Sequence, residues 1–185
     1  FSRFASKDAT RHQFPGNYEW PTRIFQLDRC FILQRFPHAN GKEVVVINTH
    51  NSAYDKGGVL KKQQMAYMKD FLTKEYEKGN YVIVGGDWNQ CPPDFKYNSL
   101  AAGKEGDYVQ TNVKPFIDSG QWVFDKTIAT NRKVNKPFDS EKTFTTIIDF
   151  FWASKNIEAI ECRGKEQGFK YSDHQPVLLK FKLND

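Results

Sequence analysis

The run Tyr81-Val82-Ile83-Val84-Gly85-Gly86-Asp87-Trp88-Asn89 constrains this chain more than any other stretch. Its first four residues are all apolar or aromatic, where a half-buried strand would alternate. The run therefore predicts a strand covered on both faces. Two glycines end it and permit a tight turn or a close backbone approach. A carboxylate and an amide follow, Asp87 and Asn89, two residues apart and so on one side of extended chain. Gly, Asp and Asn also make ordinary turns. The same residues thus read either as a turn or as a site at the carboxyl end of a core strand.

A second strand end repeats the arrangement. Val44-Val45-Val46-Ile47 is β-branched throughout and runs into Asn48-Thr49-His50-Asn51-Ser52-Ala53. Asn48 and His50 share a face. A lone histidine is usually a structural hydrogen-bonder, but a histidine ending one core strand beside a strand that ends in Asp-x-Asn points toward function. Between the two strands, residues 59–78 carry Leu60, Met68, Phe71, Leu72 and Tyr76 near helical spacing, after Gly57-Gly58 and before Gly79-Asn80. Strand, helix, strand predicts a parallel pair joined by a crossover. Upstream, residues 5–22 lack a period and read as loop. Ile24, Phe25, Leu27, residues 30–33 and Phe36 read as one or two strands, and Asn40-Gly41 as a hairpin turn.

Downstream, 95–142 is weakly patterned, with a short helix expected near 112–118, a short strand at 122–124 and a loop at 130–132. Residues 144–152 read as one strand holding Asp149 in its middle. A carboxylate there needs a dedicated partner, because burying it alone costs several kcal/mol. Residues 157–162 and 177–183 read as strands, the last alternating as an edge should, and Ser172-Asp173-His174-Gln175-Pro176 leads into it.

Composition adds bounds. At 185 residues, with 39% hydrophobic and 15% aromatic content, one domain with a sizeable core is expected over 1–185. The net charge of +5 suits a polyanionic partner, though no basic run sharpens it. Cys30, Cys91 and Cys162 offer neither a disulfide framework nor metal-ligand spacing. No apolar window is long enough to span a membrane. The opening Phe1-Ser2-Arg3-Phe4 reads as the middle of a protein, and localisation is not legible.

The polar groups that abut core strands are Asn48, His50, Asp87, Asn89, Asp149, Asp173 and His174. No thiol nucleophile stands beside a base, and there is no Walker-type glycine loop. Oxygen ligands favour Mg²⁺ or Mn²⁺, with zinc left open. Two histidines and three aspartates can supply a base, its orienter and donors to a developing oxyanion. The inventory suits metal-assisted attack of water on a phosphate ester.

In order and spacing, Asn48-Thr49-His50, Gly86-Asp87-Trp88-Asn89, Ile148-Asp149-Phe150-Phe151 and Ser172-Asp173-His174-Gln175-Pro176 resemble the motif set of the endonuclease/exonuclease/phosphatase superfamily. Ser2-Arg3-Phe4 is similar to that group's strand end. The resemblance implies an α/β fold, a four-layer sandwich of two packed mixed sheets flanked by helices. It implies a divalent-metal-dependent phosphoesterase with His174 as base or phosphate binder and Asp149 orienting it. Asp87 and Asn89 would position the nucleophile, the phosphate or a metal. His50 would stabilise phosphoryl oxygens or protonate the leaving group, and Asp173 would lie near the metal. Asn48, Asn51, Trp88 and Arg132 are candidates for substrate contact. The family's amino-terminal strands, with a metal-binding Glu, have no counterpart here. The domain is therefore expected to be amino-terminally incomplete, its sheet completed by a missing segment or a second copy. Nucleic acid is a possible partner. The other reading is a non-catalytic phosphate- or nucleic-acid-binding module on the same fold.

Overall fold

The computed structural model describes residues 2–53, 55, 57–96, 112–114, 119–134 and 136–184. Its central element is the apolar run, strand β4 (Tyr81–Asp87). Before it come β1 (Asp8–Gln13), β2 (Cys30–Pro37), β3 (Glu43–His50) and helix α1 (Val59–Glu77). After it come β5 (Gly120–Val123), β6 (Asn131–Arg132), β7 (Thr145–Thr146), β8 (Asp149–Ser154), β9 (Ile157–Gly164) and β10 (Val177–Leu183).

Six strands form one mixed sheet in the order β1-β2-β3-β4-β8-β5. The β3–β4 pair is parallel, with α1 as its crossover, and the neighbours on both sides are antiparallel. The strand–helix–strand reading and the hairpin before β3 are both observed. Successive residues of β4 enter different cores. Val82 and Val84 pack with Leu33, Val45, Ile47, Met68 and Leu72 on the α1 side. Tyr81 and Ile83 pack with Ala153, Ile157, Leu179 and Leu183 on the other. That second core is closed by β9 and β10, an antiparallel pair forming its own sheet. The architecture is an α/β sandwich in which helix, sheet and sheet are stacked among the described residues.

Helix α1 starts after Gly57 and Gly58, whose φ angles are +88° and +71°. It stops at Gly79, whose φ of +81° frees its N–H to donate to the Tyr76 carbonyl. Its buried stripe is Leu60, Gln64, Met68, Leu72 and Glu75. Two of these are polar, and each is satisfied. Gln64 donates to Ser52 Oγ and accepts from the Ser52 N–H. Glu75 receives both Nη atoms of Arg35 at 2.8 and 2.9 Å, together with Lys78 and Asn80. Arg35 also donates to Glu43. Burial pushes the Glu75 carboxyl up, but these hydrogen bonds outweigh it and hold the pKa at about 2.

Several local expectations are corrected. Residues 8–13 form β1, because His12 and its neighbours pair along β2 and the His12 ring stacks on Phe31 at 4.7 Å. Ile24 and Phe25 lie in a 3-10 turn (Thr22–Phe25), and Leu27 follows outside any strand. Residues 131–132 are strand, not loop. The 144–152 run is two strands, since β7 pairs with β6 while β8 pairs with β4 and β5. Asp149 is thus the first residue of β8, not a mid-strand carboxylate. The helix expected near 112–118 lies mostly outside the described residues, and Asn112 instead bridges to Cys91. Ser2-Arg3-Phe4 is exposed and irregular.

Glu75→Ala would leave Arg35 half-buried with its best partner gone, at a cost of about 3 kcal/mol. Because the Glu75 pKa falls from 4.5 to about 2 on folding, its stabilisation is complete above 4.5 and disappears as pH drops toward 2. Urea unfolding should therefore show a gap between wild type and Glu75→Gln at pH 7 that closes near pH 2.

Candidate active site

Strand register brings the chemistry together. In the β3–β4 pair His50 lies opposite Asp87, and in the β4–β8 pair Asp87 lies opposite Asp149. His50, Asp87 and Asp149 therefore form one rung across three neighbouring strands, about 5 Å per step. Gly86 permits this rung. Its φ is +142°, and a Cβ there would sit 2.0 Å from the Thr49 carbonyl oxygen on β3. No L side chain fits, so β4 and β3 approach closely only because the residue is glycine.

His174 reaches the rung from the segment before β10. The Gln175 N–H donates to the Thr130 carbonyl and the Arg132 N–H to that of Asp173, so backbone on both sides of β6 grips residues 173–175. The ring then sets Nδ1 2.8 Å from Asp149 Oδ2 and Nε2 4.0 Å from Asp87 Oδ2. The Thr130 hydroxyl receives the N–H groups of Ile148 and Asp149, holding the start of β8 to the same segment. Asn131 Nδ2 lies 3.0 Å from His174 Nε2. It donates to the ring when that is neutral, and the same Nδ2 donates to the Asp173 carbonyl. The Asp149 hydrogen bond pushes the His174 pKa up to about 9, against burial and with help from the charges of Asp149, Asp87 and Asp173.

On the other side of Asp87, His50 Nε2 lies 3.3 Å from Oδ2. Arg29 Nη1 lies 2.7 Å from the same nitrogen. Burial lowers the His50 pKa, and the positive charges of Arg29 and His174 lower it further. The neutral ring accepts from Arg29 through Nε2, so that nitrogen has no proton for Asp87. Burial pushes Asp87 up to about 6, the Asp149 charge adds to this, and the Asn89 N–H opposes it.

The remaining candidates divide. Asn89 (φ +49°) donates its backbone N–H to Asp87 Oδ1 at 2.8 Å and its amide to Asp87 Oδ2 and the Asn51 carbonyl. Its observed work is to hold Asp87. Asn48 is exposed on the face it shares with His50. Asn51 is fully buried, accepts from the Thr49 hydroxyl and contacts Met65 Sδ, so its side chain cannot reach a substrate. Trp88 is also fully buried. Its Nε1 donates to the Phe150 carbonyl and its ring packs on Trp122 and Phe150, so it supports the site from beneath and has no face left for stacking. Arg132 spends Nη1 on the carbonyls of Lys133 and Lys136 rather than facing the rung. Arg29, Thr130 and Asn131 were missed. Their signals were an arginine just before β2 and a short polar triplet with no apolar pattern.

Among the described residues no three His, Cys, Asp or Glu side chains converge as a metal site. Both oxygens of Asp87 already accept from Asn89. Asp87 and Asn89, expected with Asp173 to hold Mg²⁺ or Mn²⁺, lie side by side, and each Asp87 oxygen keeps a lone pair beside its Asn89 hydrogen bond.

The raised Asp87 pKa makes a stability prediction. The unfolded carboxyl ionises near 3.8 and the folded one near 6, so ionisation above pH 6 costs the folded state its full penalty. Asp87→Asn removes that penalty but gives up one of the two Asn89 hydrogen bonds, so it should stabilise the chain by roughly 1–2 kcal/mol at pH 7. The gain should shrink as pH falls through 6 and vanish below 4, as measured by thermal unfolding across pH.

No protein-family model matches the sequence, and no curated protein is significantly similar to it. Solved structures do match. The human Nocturnin catalytic domain with bound sulfate superposes with a TM-score of 0.59 at 16% identity, over 98% of this chain and 61% of that one. D. rerio TDP2 complexed with a single-strand DNA product gives 0.63 at 13% identity, over 96% and 68%. An endonuclease/exonuclease/phosphatase from Bacteroides vulgatus gives 0.59 at 18% identity, over 97% and 66%. The chain thus spans about two thirds of the length of these structures or less. Its fold is that of the endonuclease/exonuclease/phosphatase proteins, the group its motifs resemble.

Proposed function

We propose that this chain carries the water-activating half of a phosphoesterase site, acting on a phosphodiester or phosphomonoester. The observation that carries the reading is the Asp149–His174 pair, with the far nitrogen of the ring beside Asn131 and turned toward Asp87, which His50 and Arg29 flank. Asp149 holds the proton on Nδ1 and strengthens Nε2 as a base. The attacking water takes the place of the Asn131 amide at His174 Nε2 and attacks phosphorus; its proton passes to Nε2, a new P–O bond forms and the ester P–O bond breaks. Arg29 keeps its charge and is the natural partner of phosphoryl oxygens. His50 accepts from Arg29 and so orients it, and the leaving oxygen takes its proton from solvent. Asp87, held by Asn89, faces both rings and positions the water.

Divalent-metal dependence is the finer expectation; Asp87, Asn89 and Asp173 would hold the ion with only two carboxylates among them, and the described residues hold no cluster of three His, Cys, Asp or Glu. No step here passes through a metal. Isothermal titration of the 185-residue chain with Mg²⁺ should show no binding tighter than millimolar, and a micromolar site would reverse this view of the ligand set. Single-stranded nucleic acid is a candidate substrate, since D. rerio TDP2 was solved with such a product.

Hydrolysis of bis(p-nitrophenyl) phosphate and p-nitrophenyl phosphate tests the reading. His174→Ala should lower the rate by about 10²–10⁴-fold. With a pKa of about 9, neutral His174 is about one molecule in a hundred at pH 7, so the rate should rise with pH until about 9. Asp149→Asn should move that limb down toward the ordinary histidine range near 6.5 while lowering the plateau. A limb that stays at 9 in Asp149→Asn would remove His174 as the base. Phosphate-ester binding with no turnover would instead favour the non-catalytic module.

A further inference from the structure

A shallow recess adjoins the candidate active site. It opens between the β1–β2 connection and the start of α1, and Asn17, Arg23, Gln26, Asp28, Arg29 and Ser52 line it. Its walls are fixed in place. A Cβ at Gly16 would sit 2.8 Å from Leu60 Cδ2, so the connection passes this close to α1 because the residue is glycine. The Phe14 N–H donates to the Arg29 carbonyl, and the Tyr18 hydroxyl donates to the Ala53 carbonyl. Ser52 is 1% exposed, and Gln64 holds both its N–H and its side-chain oxygen.

The lining is rich in donors. Arg29 Nε is buried without a hydrogen-bond partner, although Nη1 of the same side chain reaches His50 at 2.7 Å. An unpaired buried donor is costly to keep, and an acceptor brought by a ligand removes that cost. The Ser52 oxygen accepts from the Gln64 amide, which leaves its own hydrogen to donate. Arg23 adds a second guanidinium, and Asn17 and Gln26 add amides. Among the described lining residues Asp28 is the one acid, so two arginines leave the recess positive. Two guanidiniums, a hydroxyl and amides suit a tetrahedral oxyanion.

We propose that this recess receives a second phosphate of the substrate, so that the chain acts on phosphate esters carrying another phosphate a few bonds from the one attacked. The proposal rests on the phosphoesterase reading for the first phosphate. Arg29 makes the connection. Its Nη1 stands at His50 in the candidate active site and the same residue lines the recess, so one planar fork of donors serves both phosphates. Ser52 repeats the link from the other wall. It follows Asn51, whose carbonyl holds the Asn89 amide beside Asp87.

The test is isothermal titration of the full 185-residue chain carrying His174→Ala, which leaves the recess intact and slows turnover. Adenosine 3′,5′-bisphosphate should bind about tenfold tighter than adenosine 5′-monophosphate. Arg23 is exposed, so Arg23→Gln should unfold at the same temperature as its parent. It should erase the preference while changing monophosphate affinity by less than about twofold. Asp28→Asn, which removes the acid, should widen the preference by about two- to fivefold. Equal binding of the two nucleotides would overturn the proposal, and so would a preference that survives Arg23→Gln. Tight binding of inorganic phosphate by the monophosphate-loaded chain would also overturn it, by making the recess a separate anion site. The phosphoesterase reading fails on a different measurement, no hydrolysis of either p-nitrophenyl ester by the wild-type chain, so the two failures are distinguishable.

Discussion

The alignment of β4 with β3 on one side and β8 on the other is the constraint on which the rest depends. Side chains in a sheet have a period of two, so a slip of one residue would send every one to the opposite face. The slip would exchange the two cores that β4 separates and would break the rung of His50, Asp87 and Asp149. Register is therefore specified twice. Val82 and Val84 must meet α1 while Tyr81 and Ile83 meet β9 and β10. Gly86 locks it by letting the Thr49 carbonyl fill the space of a Cβ.

That rung is electrostatically costly. Asp87 and Asp149 are like charges on neighbouring strands at the edge of a dry core, and the raised Asp87 pKa expresses the cost. The site offsets it with positive groups from outside the rung. Arg29 comes from the connection before β2, and His174 comes from the segment before β10. Each histidine then titrates according to its nearest partner. Asp149 raises His174, whereas burial and Arg29 lower His50. Two chemically identical side chains flank one carboxylate in opposite protonation states, which lets one bind a proton while the other accepts from a cation.

The far end of the sheet solves the same problem differently. Glu75 is buried in the helix stripe, yet Arg35, Lys78 and Asn80 saturate it. The result is a depressed pKa and a structural tie between α1 and β2. A buried carboxylate with three donors stabilises the fold. A partly buried carboxylate facing another, as in the rung, keeps a raised pKa instead.

Much of the fold was written locally. The unbroken apolar run of β4, the β-branched run of β3 and the glycine-bounded helix each follow from side-chain pattern and backbone preference, which act over a few residues. The same patterns placed His50, Asp87 and Asn89 at strand ends. Tertiary contacts decided the rest. The polar segment 8–13 becomes a strand only because β2 offers it an edge. One apolar run becomes β7 and β8 because its two halves find different partners. Trp88 lies within one motif and Asn51 beside another, yet packing turns both inward. Asn131 and Arg29 join the site from segments with no pattern of their own. Spacing along a chain determines which residues share a face, but only the completed sheet determines which faces meet, because that depends on partners far away in sequence.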